Sequence, residues 1–171
     1  MTATLIRPRQ ASDIPALVEA LQDVYNSDGY PVEGTSTALT FLSPPGLLEA
    51  WVAVQEGVVV GHIVVIAGEK GNQAPVQAWT EFGEGGKVEQ TVVVARFFVR
   101  ELARGRGLGR GLVDATCAWA KENDMRIVMN VLSHNVGAMK LYEKAGFRII
   151  GKGIHVNPQG QRFPQYFYVY G

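Results

Sequence analysis

A glycine-rich turn between an apolar run and a helical pattern is the feature that most constrains how this chain can fold. The apolar run spans residues 91–99, and the turn follows at residues 104–111. Beyond the turn, apolar residues recur at the spacing of one helix face. They are Leu108, Leu112, Ala115 and Trp119. The sequence therefore predicts a buried strand that leads through a tight turn into an amphipathic helix.

The start of such a helix is suited to binding phosphate. Its first N–H groups have no partner within the helix, and the helix dipole places positive charge there. Glycines let the backbone approach an anion closely, and Arg104 and Arg106 would add charge-assisted hydrogen bonds. The turn is therefore a candidate phosphate-binding loop. The alternative is that it only makes a tight connection.

Two common nucleotide-binding patterns do not fit the spacing of this turn. The dinucleotide fingerprint requires glycine at its first, third and sixth positions. Counting from Gly105, the sixth residue is Arg110, and counting from Gly107 it is Leu112. The mononucleotide loop requires Gly-Lys followed by Ser or Thr, which the turn lacks. The phosphate would therefore belong to another kind of ligand.

The spacing that fits is Arg-x-x-Gly-x-Gly, at Arg104, Gly107 and Gly109. It resembles the pyrophosphate loop of the GCN5-related N-acetyltransferases (GNAT family), which bind acetyl-coenzyme A. Residues 135–147 resemble a second signature of that family: Asn, Ala three residues later, Leu-Tyr and Gly-Phe. The two signatures occur in the family's order, with an apolar segment at residues 127–132 between them.

The resemblance implies an α/β fold in which residues 1–171 form a single N-acetyltransferase domain. The GNAT-like fold has a mixed central β-sheet of about six or seven strands flanked by about four helices. Its fourth and fifth strands splay apart around a V-shaped gap. In this sequence we expect those strands at residues 89–99 and 127–132.

The resemblance also assigns residues to acetyl-coenzyme A. The pantetheine arm would lie in the gap and pair with the backbone of the fourth strand, and the pyrophosphate would meet the glycine-rich turn. The expected cofactor-binding residues are Phe97, Phe98, Val99, Arg104, Gly105, Arg106, Gly107, Leu108, Gly109, Asn135, Ala138 and Tyr142. Asn135 is also a candidate N-cap of the helix that follows it.

Tyr142 is the candidate general acid. A phenol stays protonated at neutral pH, yet it can donate a proton to a thiolate leaving group of similar acidity. The alternative is that Tyr142 is a buried aromatic residue bonded to a carbonyl group. The oxyanion formed on attack would be stabilised by a backbone N–H near Phe98 or Val99.

The general base is less constrained by the sequence. Glu89 and Glu101 are the carboxylates nearest to the fourth strand, although Glu101 could simply be solvated. His62, His134 and His155 are further candidates, with packing or solvation as the alternative for each. Deprotonation through water by several groups also remains open.

The acceptor site would be built from segments outside the two signatures. Tyr30, Phe41 and Trp51 could line it, or could be ordinary core aromatics. Asn130 interrupts an apolar strand and needs a partner if it is buried, so it could face the acceptor cleft.

A long polar segment at residues 70–88 is predicted as an irregular connection. Loops of this length are often functional and are otherwise variable hairpin tips. Trp79, Glu81, Phe82 and Glu84 could lean over the acceptor amine and attract a cation.

The composition of the chain limits the classes of partner and the cellular compartment that we expect. The chain has 16 basic and 16 acidic residues, so we expect no nucleic-acid partner, which would favour a basic excess. The single cysteine, Cys117, excludes an internal disulfide and fits a reducing compartment. We expect a cytoplasmic protein without a membrane segment, because neither a secretory leader nor an apolar stretch of about 18 residues is evident. No cysteine–histidine cluster has metal-ligand spacing, so no metal is expected.

The sequence thus predicts an N-acetyltransferase that transfers acetyl directly from acetyl-coenzyme A to a primary amine of a small molecule or peptide, through a ternary complex. The alternatives are a non-catalytic sensor of acyl-coenzyme A and an acyltransferase that uses another acyl group. A homodimer is a further expectation, with the aromatic segment 163–170 contributing a strand edge.

Overall fold

The fold is built on one seven-stranded mixed sheet, described here from a computed structural model that covers residues 3–81 and 86–171. The elements are β1 (Thr4–Pro8), α1 (Ile14–Asp28), α2 (Ala38–Leu42), β2 (Leu47–Gln55), β3 (Val58–Ala67), α3 (Gln73–Thr80), β4 (Thr91–Val99), α4 (Leu108–Glu122), β5 (Arg126–Leu132), α5 (Val136–Lys144), β6 (Phe147–Val156) and β7 (Arg162–Tyr170). The predicted mixed sheet is confirmed, and the described residues contain one helix more than the expected four.

The strands run in the order β1-β2-β3-β4-β5-β7-β6. Only β4 and β5 are parallel neighbours, and they pair just at Thr91–Val93 and Arg126–Val128. Both strands continue well beyond this pairing, to Val99 and Leu132. They therefore separate, and the predicted V-shaped gap between the fourth and fifth strands is confirmed.

Both faces of the sheet are covered by helices. Along β2, Trp51 packs on the face that carries α4 and α5, whereas Val52 packs on the face that carries α1 and α2. Along β4, Val92 and Val94 join the first face, and Val93 joins a cluster with α3. This alternation explains the nearly continuous apolar run, because a strand covered on both faces has no solvated side.

The segment predicted as an irregular connection contains α3, so that prediction is wrong for residues 73–80. The side chain of Asn72 caps the helix by accepting a hydrogen bond from the N–H of Ala74 at 3.1 Å. The helix buries Trp79, which packs under the sheet and away from the gap. The predicted roles of Phe82 and Glu84 fall outside the described residues.

The central strand begins at Thr91, two residues later than predicted. The Thr91 hydroxyl and the N–H of Gln90 donate to the carbonyl oxygen of Lys87, at 2.7 and 3.0 Å. These bonds close a 3-10 turn over Val88–Gln90, which leaves Glu89 exposed before the strand.

The expectation that residues 163–170 supply a free strand edge to a dimer is wrong. They lie in β7, which pairs with β5 on one side and with β6 on the other. Both rows of backbone hydrogen-bonding groups in β7 are therefore occupied within the sheet.

Candidate active site

A cavity of about 1060 Å³ opens where β4 and β5 separate. Its wall includes the N-terminus of α4 and residues 30–33, which follow α1. Residues 93–99 of β4 form one side, and residues 129–132 of β5 form the other. Since neither strand pairs across the gap here, backbone polar groups along its length are available to a ligand.

The predicted phosphate loop lies on the wall of this cavity. Gly107 is the N-cap of α4 with a φ of 80°, a left-handed conformation that suits glycine. Its carbonyl oxygen accepts from the N–H of Gly111 at 3.0 Å, which closes the first helical turn. The N–H groups that precede Gly111 in this turn have no acceptor within the helix and can bind an anion. Gly105, Leu108 and Gly109 line the cavity beside Gly107.

The two predicted arginines of this loop are placed differently. Arg104 lines the cavity, and its guanidinium is already engaged by the protein. Its Nε donates to the carbonyl oxygen of Val99 at 2.9 Å, and its Nη2 lies 2.5 Å from Oδ2 of Asp28. Arg104 thus ties the loop to the ends of β4 and α1. Arg106 is exposed and lies off the cavity wall.

Tyr142 lies on α5 and faces the cavity, with only 5% of its surface exposed. Its ring contacts those of Phe97 and Phe147, with centroids 5.9 and 5.6 Å away. Burial and the nearby phenols of Tyr30 and Tyr168 raise the pKa of Tyr142 above its ordinary value. The phenol therefore stays protonated through the neutral and alkaline range and can act as a proton donor.

The other predicted cofactor residues of the second signature also line the cavity, at Asn135 and Ala138. Asn135 occupies the N-cap position of α5, but its side chain makes no capping hydrogen bond. Asn130 lies on the wall as well, and its amide donates to Oε1 of Gln165 at 2.9 Å. Asn130, the polar residue that interrupts β5, therefore has the hydrogen-bond partner that a buried amide needs.

The structure does not bring Glu89 or Glu101 to the cavity. Glu89 lies in the turn before β4, at the end of the strand opposite to the phosphate loop. Glu101 begins a 3-10 turn after β4 and is exposed. Neither carboxylate belongs to the cavity wall.

Two carboxylates do line the cavity, Asp28 and Glu33, and the sequence analysis missed both. Asp28 is paired with Arg104, whereas Glu33 is paired with a histidine. Oε1 of Glu33 lies 2.7 Å from Nε2 of His155, and both side chains are on the wall. His155 comes from β6, 122 residues away in the chain. An imidazole paired with a carboxylate is a common proton-transfer unit. No sequence pattern links two residues so far apart.

A bulge in β4 shapes the middle of the cavity. The pairing of β3 with β4 shifts register between His62 and Val64, and Arg96 opposite has a φ of 55°. His62 is fully buried, and its Nδ1 lies 2.9 Å from the carbonyl oxygen of Arg96. His62 thus stabilises the conformation of β4 and does not line the cavity. Arg96 does line it, and it is the one charged residue of β4, a signal visible in the sequence.

Two of the three aromatic residues predicted for the acceptor wall are found there. Tyr30 and Phe41 line the cavity, with ring centroids 5.9 Å apart. Trp51 packs in the core beneath α4 and α5. The part of the cavity wall predicted to hold the acceptor is therefore formed by the loop after α1 and by α2.

Within residues 3–81 and 86–171, no three His, Cys, Asp or Glu side chains come together in a way that could hold a metal ion. No helix in this part of the chain is long and apolar enough to cross a membrane.

Solved structures with the same fold span nearly the whole chain. A ribosomal-protein-S18-alanine N-acetyltransferase from Escherichia coli superposes with a TM-score of 0.71 at 16% identity, covering 98% of this chain and 93% of that one. A Salmonella typhimurium acetyltransferase solved with its cofactor acetyl-CoA gives 0.71 at 18% identity, with 98% and 92% covered. Arabidopsis thaliana NAA60 in complex with acetyl-CoA gives 0.70 at 18% identity, with 98% of each chain covered.

Sequence relatives add a second line of evidence. N-acetylaspartate synthetases of Rattus norvegicus and Homo sapiens are each 31% identical over 116 residues, which are 67% of this chain. The matched part is 32% of the length of each relative. The sequence model of the Acetyltransferase (GNAT) family matches residues 15–147, which include both signatures and the strands around the gap. The chain therefore belongs to the GNAT family of acetyltransferases.

Proposed function

We propose that this protein transfers an acetyl group directly from acetyl-coenzyme A to a primary amine of a small molecule or peptide. The observation that carries this proposal is the continuous cavity between β4 and β5. Three features line this one cavity: a helix N-terminus suited to phosphate, the proton donor Tyr142, and the pair Glu33–His155, which can accept a proton. Such a cavity can hold both substrates at once, as a ternary complex requires.

The cavity fits the elongated shape of coenzyme A. The pyrophosphate would meet the free N–H groups at the start of α4, and the pantetheine arm would pair with the open edge of β4 at Phe97, Phe98 and Val99. Gly109 lets the start of α4 pack closely against α5 and β4, because a Cβ there would lie 3.2 Å from Cδ1 of Leu141 and 3.3 Å from Cζ of Phe97. The two structural relatives solved with acetyl-CoA support the same choice of substrate.

The acceptor must lose a proton before it can attack. We assign this step to His155, whose Nε2 is bonded to Glu33, since this pair lines the cavity while Glu89 and Glu101 lie outside it. The imidazole would take the ammonium proton, and the carboxylate would stabilise the imidazolium that forms. The proton then passes to solvent at the cavity mouth.

Attack of the amine nitrogen on the thioester carbonyl creates an oxyanion. The N–H of Arg100 donates to the carbonyl oxygen of Val60 in β3, so strand alternation turns the N–H of Val99 towards the gap. We therefore favour Val99 over Phe98 as the oxyanion donor. Collapse of the intermediate breaks the C–S bond, and Tyr142 donates its proton to the departing sulfur. The attacking nitrogen loses its second proton as the amide forms, and this proton restores the phenol.

The test is thiol release from acetyl-coenzyme A, measured with and without a pooled panel of primary amines. Release that depends on the amine would support the proposed function, and dividing the pool would identify the acceptor class. No release with any amine, while acetyl-coenzyme A still raises the melting temperature, would leave a sensor of acyl-coenzyme A. The same assay with propionyl-coenzyme A would show whether a bulkier acyl group is preferred.

A further inference from the structure

Arg96 lies on the wall of the cavity and has no counter-ion within residues 3–81 and 86–171. Arg96 makes no side-chain hydrogen bond or ion pair with any residue in the described ranges. Its Nε is buried and has no hydrogen-bond partner there. Its guanidinium carbon lies 4.4 Å from the centre of the Phe41 ring. The ring holds the group in place but satisfies none of its N–H donors.

Other arginines of this protein are paired with a carboxylate. Arg7 pairs with Asp13 at 2.8 Å, Arg104 with Asp28 at 2.5 Å, and Arg110 with Asp114 at 2.8 Å. A buried donor without a partner costs free energy, and a guanidinium has five donors to satisfy. Arg96 lacks such a carboxylate among the described residues, so its donors are available to a ligand in the cavity.

The backbone around Arg96 is held in an uncommon conformation that keeps this residue in the bulge. A φ of 55° is unfavourable for a residue with a Cβ, and it persists only where the surroundings hold it. Here His62 binds the carbonyl oxygen of Arg96, and Arg9 binds His62 at 3.0 Å. Left-handed residues held in this way are concentrated at ligand-binding sites.

The position of Arg96 separates its ligand from the phosphates of the cofactor. Its neighbours Phe41 and Tyr30 come from the acceptor wall, whereas the predicted phosphate loop lies at the start of α4. Burial raises the pKa of Tyr30. The positive charge of Arg96 acts to lower this pKa and the negative charge of Glu33 acts to raise it, so both charges act on the same phenol. A positive and a negative group thus flank one acceptor space.

We propose that the acceptor amine carries a carboxylate, and that Arg96 binds this carboxylate while the amino group faces Glu33 and His155. This inference rests on the proposed acetyl transfer and narrows its acceptor to amino acids or amines of that type. A planar guanidinium matches a carboxylate through two parallel hydrogen bonds, and its single positive charge balances a single negative charge. Arg96 is therefore a specificity-determining residue.

The experiment compares free amino acids with the corresponding amino acid amides, which keep the amine and lack the negative charge. Thiol release is measured for each of the common amino acids, its amide and a phosphorylated amine, phosphoethanolamine. We expect kcat/KM to be about 100-fold higher for the best amino acid than for its amide. In Arg96→Gln this preference should fall to near unity, with an unchanged KM for acetyl-coenzyme A. Arg96→Lys should keep part of this preference, because the positive charge remains but the two parallel hydrogen bonds of a guanidinium are lost.

Arg162→Gln is the matched control, since Arg162 is exposed at the start of β7 and lies away from the cavity. It should retain the full preference. Equal use of amino acids and amides by the wild type would overturn the inference, as would a preference for phosphoethanolamine or a preference that survives in Arg96→Gln.

A binding measurement separates failure of this inference from failure of the proposed function. Each common N-acetylated amino acid and its amide are titrated calorimetrically into protein saturated with coenzyme A. Tighter binding of an acid than of its amide, lost in Arg96→Gln, supports the carboxylate site even if no thiol is released. Equal or absent binding of all the acids and amides would refute the site even if some other amine is acetylated.

Discussion

The imidazole of His62 holds the central strand at its bulge, because its Nδ1 lies 2.9 Å from the carbonyl oxygen of Arg96. Its Nε2 lies 3.0 Å from Nη1 of Arg9. Arginine can only donate, so Nε2 accepts and the proton of the neutral ring sits on Nδ1. A single tautomer of His62 in β3 thus contacts both β4 and Arg9, the residue after β1, behind the wall of the cavity.

This arrangement predicts that the protein loses stability as the pH falls below about 6.5. Burial, aided by the charge of Arg9, lowers the pKa of His62 to about 3. The unfolded chain then binds more protons than the folded chain between these two values. The stabilisation is complete above the unfolded pKa and falls towards pH 3, by at most about 1.4 kcal/mol per pH unit.

Urea unfolding of the wild type and of His62→Gln between pH 7.5 and 4.5 checks this prediction. The variant should be less stable at pH 7.5 but should show a flatter dependence on pH, since its amide does not titrate. Parallel curves for the two proteins would mean that the pKa of His62 does not change on folding.

The parts of the site that could be predicted from the sequence are local in the chain. The phosphate loop needs only a strand, glycines at fixed spacing and a helix start, all within about twenty residues of Thr91. Tyr142 was recognisable in the same way, from the signature around it. The gap between β4 and β5 then followed from the family resemblance.

The polar contacts on the proposed acceptor side could not be predicted in this way, because they are made between segments that are distant in the chain. Glu33 follows α1 and meets His155 on β6 across 122 residues of chain. Arg96 is a charge in an apolar run, but the sequence analysis did not select it, and the backbone bulge that brings it into the cavity depends on a buried contact with His62. Glu101 was a reasonable choice from its position beside β4, but a 3-10 turn leaves it exposed.

Replacing Tyr142 by phenylalanine tests its role as the proton donor. We expect kcat to fall about 100-fold or more, which is the usual contribution of a general acid, with acetyl-coenzyme A binding unchanged. The measurement is steady-state thiol release together with calorimetric titration of acetyl-coenzyme A. Tyr168→Phe is the control, because Tyr168 is also buried but its hydroxyl donates to Glu143 at 3.3 Å. Equal activity of the two variants would remove Tyr142 from the chemistry.

Cys117 should be chemically inert in the folded protein. It is buried in α4, and burial raises its pKa to about 11, so very little thiolate exists at neutral pH. Iodoacetamide should therefore label the native protein much more slowly than the protein in urea, as measured by mass spectrometry. Cys117→Ala should keep its turnover and lose about 1 kcal/mol of stability from the small cavity created. An acetylated Cys117 trapped after mixing with acetyl-coenzyme A would contradict direct transfer.

The phosphate loop can be tested with two glycines that share a conformation but not a location. Gly107 at the start of α4 has a φ of 80°, and Gly160 in the turn between β6 and β7 has a φ of 79°. A Cβ added at either position meets nothing within 4 Å, so both changes to alanine carry the same kind of backbone strain. Each variant should lose roughly 1–2 kcal/mol of stability.

Only Gly107→Ala should also raise the KM for acetyl-coenzyme A, because the strained residue shifts the N–H groups that would face the pyrophosphate. Gly160→Ala should keep the wild-type KM, since Gly160 lies outside the cavity. The measurements are thermal unfolding for stability and thiol release at varied acetyl-coenzyme A for KM. An equal KM in both variants would show that the start of α4 does not contact the cofactor, and the phosphate would then have to bind elsewhere along the cavity.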